Sequence, residues 1–111
     1  PVAYAICHAW ADSRRPWRAF TVRKEAKSHG TGKIIEGPFK AGDRVAVIED
    51  VITTGGSALR AIEAVRAANG SVIGVLALVD REEGGSRAIE AVGVPVISLV
   101  SATQIIKALE N

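Results

Sequence analysis

The run Val45-Ala46-Val47-Ile48-Glu49-Asp50-Val51-Ile52-Thr53-Thr54-Gly55-Gly56-Ser57 constrains this chain more than any other stretch. An apolar strand ends in two adjacent carboxylates, passes through a loop of small and hydroxyl residues, and enters a helix pattern over Ser57 to Ala68. The amides at such a helix start have no intrahelical partner, and the positive end of the helix dipole adds to them. Together they make a ready phosphate site. Gly55 and Gly56 permit close backbone approach and unusual dihedrals, while Thr53, Thr54 and Ser57 add hydroxyl donors. Glu49 and Asp50 would repel a phosphate beside them, so ribose hydroxyls or a metal ion are their natural partners. The residues alone also allow a plainer reading, a helix cap preceded by two solvated acids.

The rest of the chain repeats this strand-then-helix order. Val2 to Trp10 is a short helix candidate, Asp12 to Pro16 a turn, and Ala19 to Val22 a short strand. Glu25 to Gly37 has neither period and three glycines, and reads as a mobile loop. Ala41-Gly42-Asp43 turns into the strand Arg44 to Glu49. In the helix that follows, Arg60, Glu63 and Arg66 form a narrow polar stripe, and Asn69-Gly70 supplies the stop. Ser71 to Val79 is a nearly continuous apolar run, as expected of a strand covered on both faces. Ser86 to Val92 is a helix ended by Gly93, and Val94 to Val100 is a strand. Ser101 is the expected N-cap of a last helix, Ala102 to Leu109. The expected fold class is therefore α/β, one domain over residues 1–111, with a parallel sheet flanked by helices on both faces. Ligands bind such sheets at the carboxyl ends of the strands. Arg23-Lys24, Glu49-Asp50 and Asp80-Arg81-Glu82-Glu83 all fall at such ends.

Composition excludes several classes. An apolar fraction of 48% and a charged fraction of 23% suit a globular domain, and no apolar run approaches the roughly 18 residues of a membrane span. The single cysteine, Cys7, makes no internal disulfide and is expected to pack in the core, which fits a reducing, cytoplasmic setting. A net charge of +2 does not argue for nucleic acid, although Arg14, Arg15, Arg18, Arg23, Lys24, Lys27 and Lys33 hold half of the 14 basic residues. Arg14, Arg15 and Arg18 match no motif and read as a solvated face. His8 is assigned to structure. The chain begins without a methionine inside an apolar stretch, Pro1 to Ile6, and reads as a piece of something longer.

Three segments carry a resemblance. Val47 to Ser57 resembles the 5-phosphoribosyl 1-pyrophosphate (PRPP) signature of the type I phosphoribosyltransferases. Val22-Arg23-Lys24-Glu25-Ala26-Lys27-Ser28-His29-Gly30-Thr31-Gly32 resembles the catalytic loop of the orotate branch, and Asp80-Arg81-Glu82-Glu83-Gly84-Gly85 its third marker. The resemblance implies a type I phosphoribosyltransferase fold lacking its N-terminal part, and transfer of a phosphoribosyl group from PRPP to orotate. It implies magnesium carried by PRPP, with no metal bound directly by side chains. It places Arg23, Lys24, Lys27, His29 and the run Glu49, Asp50, Val51, Ile52, Thr53, Thr54, Gly55, Gly56, Ser57 on PRPP. Thr53 and Arg81 would contact orotate; Lys27, Glu49 and Asp50 would be catalytic. It further implies a homodimer in which the loop reaches the neighbouring site.

The matched family is nearly twice as long, so the isolated chain is expected to turn over weakly or not at all and to leave one sheet face open. The alternatives are a phosphoribosyltransferase for another base, a non-catalytic PRPP-sensing regulator, and an inactive folded fragment. The lysine loop argues against the first, and Lys27 with the Glu49-Asp50 pair against the second.

Overall fold

The computed structural model describes residues 2–12, 16–24 and 34–110. Its elements, in order, are α1 (Val2–Ala9), β1 (Thr21–Val22), β2 (Ile35–Glu36), β3 (Arg44–Ile52), α2 (Gly56–Ala67), β4 (Ser71–Asp80), α3 (Gly85–Ala91), β5 (Val96–Ser101) and α4 (Ala102–Glu110). Strands β3, β4 and β5 form a parallel sheet in that order. This is the expected α/β architecture.

The core lies between one sheet face and α2 with α3. Alternate β3 residues Val45 and Val47 and the β4 residues Val75 and Ala77 are buried. They meet Ala58, Ile62 and Val65, spaced i, i+4, i+7 along α2, while Arg60, Glu63 and Arg66 stay exposed on its other side. Every partner here is apolar and branched or small, so stability comes from burial with no buried ionic group among the described residues.

Helix α3 is a shortened copy of α2. Gly-Gly-Ser opens both, at residues 55–57 and 84–86, and Arg60 to Val65 is repeated letter for letter as Arg87 to Val92. Ile62 and its counterpart Ile89 are both buried. Val92, the C-cap of the shorter helix, is exposed, and its carbonyl accepts a bond from the Arg66 guanidinium (2.9 Å).

Three expectations change. First, the segment Ala19 to Val22 does not join the parallel sheet: only Thr21–Val22 is a strand, and it pairs antiparallel with Ile35–Glu36. The expected loop Glu25 to Gly37 thus ends in β2, and its residues 25–33 lie outside the described residues. A two-residue strand set in a polar segment has no period to reveal it. Second, β4 is covered on one face only. Leu78 on β4 and Ile97 and Leu99 on β5 share the second face by register and are 37%, 65% and 63% exposed. Apolar composition does not report which face is covered. Third, Asn69 rather than Gly70 takes the left-handed conformation after α2 (φ 65°). Its amide donates to Arg66 O (3.1 Å) and that of Gly70 to Val65 O (2.9 Å), a Schellman closure. Gly70 is needed for space: a Cβ there would lie 2.7 Å from Phe39 Cζ and 2.8 Å from Val65 Cγ1.

The remaining elements hold, but β3 runs on through Glu49 and Asp50 to Ile52, and β5 begins at Val96 rather than Val94. Gly93 ends α3 with φ 84°, and Ser101 caps α4. The Ser101 hydroxyl accepts from the Gln104 amide (3.2 Å), and Gln104 Oε1 accepts from the Ser101 amide (2.8 Å). This is a reciprocal capping box. Arg18 is not simply solvated. Its Nη2 is shared between both oxygens of Asp43 (3.1 Å each) and its Nη1 donates to Pro38 O (3.0 Å), tying the lead-in of β1 to the start of β3. Arg14 and Arg15 lie outside the described residues.

Candidate functional site

Register places the ends of the parallel strands abreast: Ile52 is opposite Asp80, and Asp80 opposite Ser101. The loops leaving β3 and β4 are then fused through backbone. The Arg81 amide donates to Ile52 O (3.0 Å) and the Gly85 amide to Thr53 O (3.1 Å). Gly55 sits at φ 90° as the N-cap of α2, and a Cβ on it would stand 3.0 Å from Gly85 O. A Cβ on Gly85 would meet Ile52 Cγ2, Thr53 O at 2.6 Å and Gly55 N at 2.8 Å. Side chains are excluded from this contact, so the phosphate-type loop rests on a firm floor.

The start of α2 is left open. No side chain caps it and no acid occupies its first turn. The first helical bond, Leu59 N to Gly55 O (2.9 Å), leaves the Gly56, Ser57 and Ala58 amides without intrahelical partners. They line a small cleft of about 30 Å³ together with Glu49, Val51 and Thr53. Gly56 has neither a positive φ nor a crowded Cβ position; the nearest atom to an added Cβ is Arg60 Nη1, at 3.4 Å. The fold gives no reason for a glycine there, whereas close approach by a ligand does. Within the run Val51 to Ser57 the side chains divide. Ile52 is 2% exposed and belongs to the core, so only its backbone borders the loop, while Val51 and Thr54 are exposed.

The two acids diverge because successive strand residues point to opposite faces. Glu49 shares the α2 side of the sheet by its pairing with Ala77, and it accepts a bond from the Ser57 hydroxyl. Burial raises its pKa above the usual glutamate value, and the charge of Asp50 adds to the rise; the Ser57 bond and Arg60 oppose it. Asp50 is exposed. Both border a larger groove of about 760 Å³ between α1, β1, β3 and α2. Arg23 and Lys24 line the same groove, so the hairpin delivers two of the expected cations to the acids even though β1 is outside the parallel sheet. Arg23 Nε lies 2.8 Å from Glu36 Oε1, close enough for an ion pair but not aligned as a hydrogen bond.

Arg81 stands apart from the linings of both cavities, exposed, with Nε 3.1 Å from Glu83 Oε2. Lys27 and His29 lie outside the described residues. Cys7 is a partly buried free thiol on α1, not a core residue. Among the described residues no group of three or more His, Cys, Asp or Glu is placed to hold a metal, and no helix is long and apolar enough to cross a membrane. The reading of the residues missed Gly85 as the partner of Gly55. The repeated Gly-Gly-Ser was the signal that could have found it.

Comparison with known proteins decides the kinship. Over 106 residues the chain is 49% identical to orotate phosphoribosyltransferase of Aquifex aeolicus, covering 96% of this chain and 58% of that protein. Over 100 residues it is 53% identical to the Mycobacterium avium orotate phosphoribosyltransferase, covering 90% of this chain and 54% of that one. The chain is related to the orotate phosphoribosyltransferases. It also superposes on Mycobacterium tuberculosis orotate phosphoribosyltransferase in complex with PRPP, with a TM-score of 0.79 and 44% identity over 94% of this chain and 57% of that one. The fold is thus that of the type I phosphoribosyltransferases in the part present here, and the expected resemblance to the orotate branch is borne out. No protein-family model matches the chain. The chain spans about half the length of the curated relatives it matches.

Proposed function

We propose that this chain carries the PRPP-binding half of an orotate phosphoribosyltransferase, which joins orotate to the phosphoribosyl group and releases pyrophosphate. The observation that carries the reading is the uncapped start of α2, opened by a glycine the fold does not require, beside Glu49 and Asp50 at the strand end. Kinship with the orotate enzymes, one of them solved with PRPP, supports it.

In this reading the amides of Gly56, Ser57 and Ala58 bind the 5′-phosphate, and Thr53, Thr54 and Ser57 add hydroxyls. Glu49 and Asp50 hold the ribose hydroxyls from two sides and stabilise the positive charge that develops on the sugar as the pyrophosphate leaves. Half-buried Glu49 does so in a medium that screens less than water, which strengthens the effect. Arg23, Lys24, Lys27 and His29 take the pyrophosphate, Lys27 neutralising its growing charge. Arg81 and Thr53 recognise orotate, the arginine through a forked pair to the ring carboxylate.

Mg²⁺ fits this arrangement as a passenger on PRPP. It keeps several waters and favours substrate phosphate oxygens over an all-protein cage, which Glu49 and Asp50, pointing to opposite faces of the sheet, do not form. Closure of the basic loop over a partner's site in a homodimer excludes water from the activated sugar. A cytoplasmic setting and no nucleic-acid partner complete the proposal. The test takes a full-length relative carrying this segment in place of its own, supplies PRPP and magnesium with orotate, adenine or uracil, and follows which base is consumed. Orotate consumption is expected; consumption of adenine without orotate contradicts it.

A further inference from the structure

Arg81 is the only cation of the β4–α3 loop, and among the described residues its exposed side chain is held by one contact, to Glu83. That contact engages Nε and leaves the two terminal amino groups to fork onto a carboxylate. Recognition of this kind depends on where the backbone puts the guanidinium, so whatever holds the loop backbone sets the selectivity.

The next residue is unusual. Glu82 has φ 61°, a left-handed conformation that non-glycine residues rarely adopt. Its amide donates to Asp80 Oδ1 (2.8 Å), while Asp80 Oδ2 accepts from the Ser86 hydroxyl (2.6 Å) at the start of α3. Its carboxylate reaches 21 residues along the chain to α4, where Oε1 accepts from the Thr103 amide (2.8 Å) and Oε2 from the Thr103 hydroxyl (3.0 Å). Helix α4 already has a local cap in Ser101 and Gln104. A cap alone would therefore explain the carboxylate but not a strained backbone next to Arg81. Strain of this kind persists only where surrounding contacts over-determine it, and at Glu82 they do so from both sides.

We infer that Glu82 is a positioning residue for Arg81: its carboxylate, gripped by Thr103, locks the loop backbone so that the guanidinium is presented to the carboxylate of the incoming base. This rests on the orotate reading given above. Bonding to Thr103 also lowers the Glu82 pKa, so the grip is ionised at neutral pH.

The test uses Glu82→Gly, whose backbone adopts the left-handed conformation freely, together with Glu82→Gln and Thr103→Val. Binding of orotate and of PRPP, each with magnesium, is measured alongside exchange of the Arg81 amide, which is bonded to Ile52 O. Glu82→Gly is expected to keep the melting temperature, leave PRPP affinity unchanged, weaken orotate about 10-fold and speed Arg81 amide exchange by a similar factor. Thr103→Val should reproduce this in part, and Glu82→Gln, which keeps an acceptor, should recover part of it. Unchanged orotate affinity and unchanged Arg81 exchange in Glu82→Gly would overturn the inference, as would equal weakening of orotate and PRPP. If the unsubstituted chain binds PRPP but no orotate, the orotate reading fails instead. Arg81 exchange then decides whether Glu82 holds the loop, and an unchanged rate in Glu82→Gly rejects it.

Discussion

Gly55 and Gly85 meet backbone to backbone: a side chain on Gly55 would stand 3.0 Å from the Gly85 carbonyl oxygen, and one on Gly85 would stand 2.8 Å from the Gly55 nitrogen. Two loops that leave neighbouring strands are thereby locked together without a side chain between them. The loop that opens α2 inherits its shape from this contact rather than from any ligand.

The three glycines of this platform should differ in stability when replaced by alanine. Gly85→Ala forces atoms into Ile52 Cγ2 and Thr53 O and is expected to cost about 3 kcal/mol or abolish cooperative unfolding. Gly55→Ala, at φ 90° with Gly85 O nearby, should cost about 1–2 kcal/mol. Gly56→Ala should be neutral or stabilise by up to about 1 kcal/mol, because alanine is the better helix former. Urea denaturation of the three variants reads the order directly; a Gly56→Ala loss as large as that of Gly55→Ala would contradict it.

Glu49 should make the chain less stable as pH rises. Its pKa is raised from the ordinary 4.5 in the folded protein, so the folded state binds the proton more tightly than the unfolded chain does. The carboxyl therefore favours folding most below that ordinary value, and the advantage is lost as pH rises through the raised one. Glu49→Gln keeps a partner for Ser57 and removes the charge. Its stability relative to the unsubstituted chain should increase between about pH 4 and pH 7. A difference that stays constant or shrinks over that interval would refute the assignment.

Much of this was legible in the sequence because local signals agreed with the global fold. The polar stripe Arg60, Glu63 and Arg66 marked the exposed side of α2, which lies opposite buried Ala58, Ile62 and Val65, and Ser101 read as the cap of α4. The illegible parts depend on contacts between distant segments. That Thr21–Val22 pairs with Ile35–Glu36, or that Ile97 and Leu99 are uncovered, follows from what lies beside them and not from their own pattern. The site was legible in residue type and not in direction. Glu49 and Asp50 were seen as a pair, but strand alternation sends one toward Ser57 and leaves the other exposed.

Arg18 and Asp43 should be coupled although Arg18 is exposed, because its Nη2 reaches both carboxylate oxygens and the Lys40 amide also donates to Asp43 (2.9 Å). A double-mutant cycle with Arg18→Ala and Asp43→Ala is expected to give a coupling of about 0.5–1 kcal/mol, at the upper end for surface pairs. The coupling should shrink in high salt. Strict additivity of the two substitutions would return Arg18 to the solvated-face reading.

Lys27→Ala separates function from fold. A lysine in a segment without apolar period has little to give a core, so thermal stability should stay within about 0.5 kcal/mol. In a full-length relative carrying this segment in place of its own, turnover measured as pyrophosphate release with orotate present should fall by about 10²–10³ if Lys27 stabilises the leaving group's charge. A matching loss of stability, or unchanged turnover, would contradict that role.

The most direct measurement is PRPP binding at the start of α2, followed through the backbone amide signals of the chain and of its Gly56→Ala variant. With magnesium and PRPP added, the account predicts shifts concentrated on Gly56, Ser57 and Ala58, and at least about 10-fold weaker binding in the variant at undiminished stability. Shifts centred elsewhere, or equal affinity in the two proteins, would contradict the phosphate cradle.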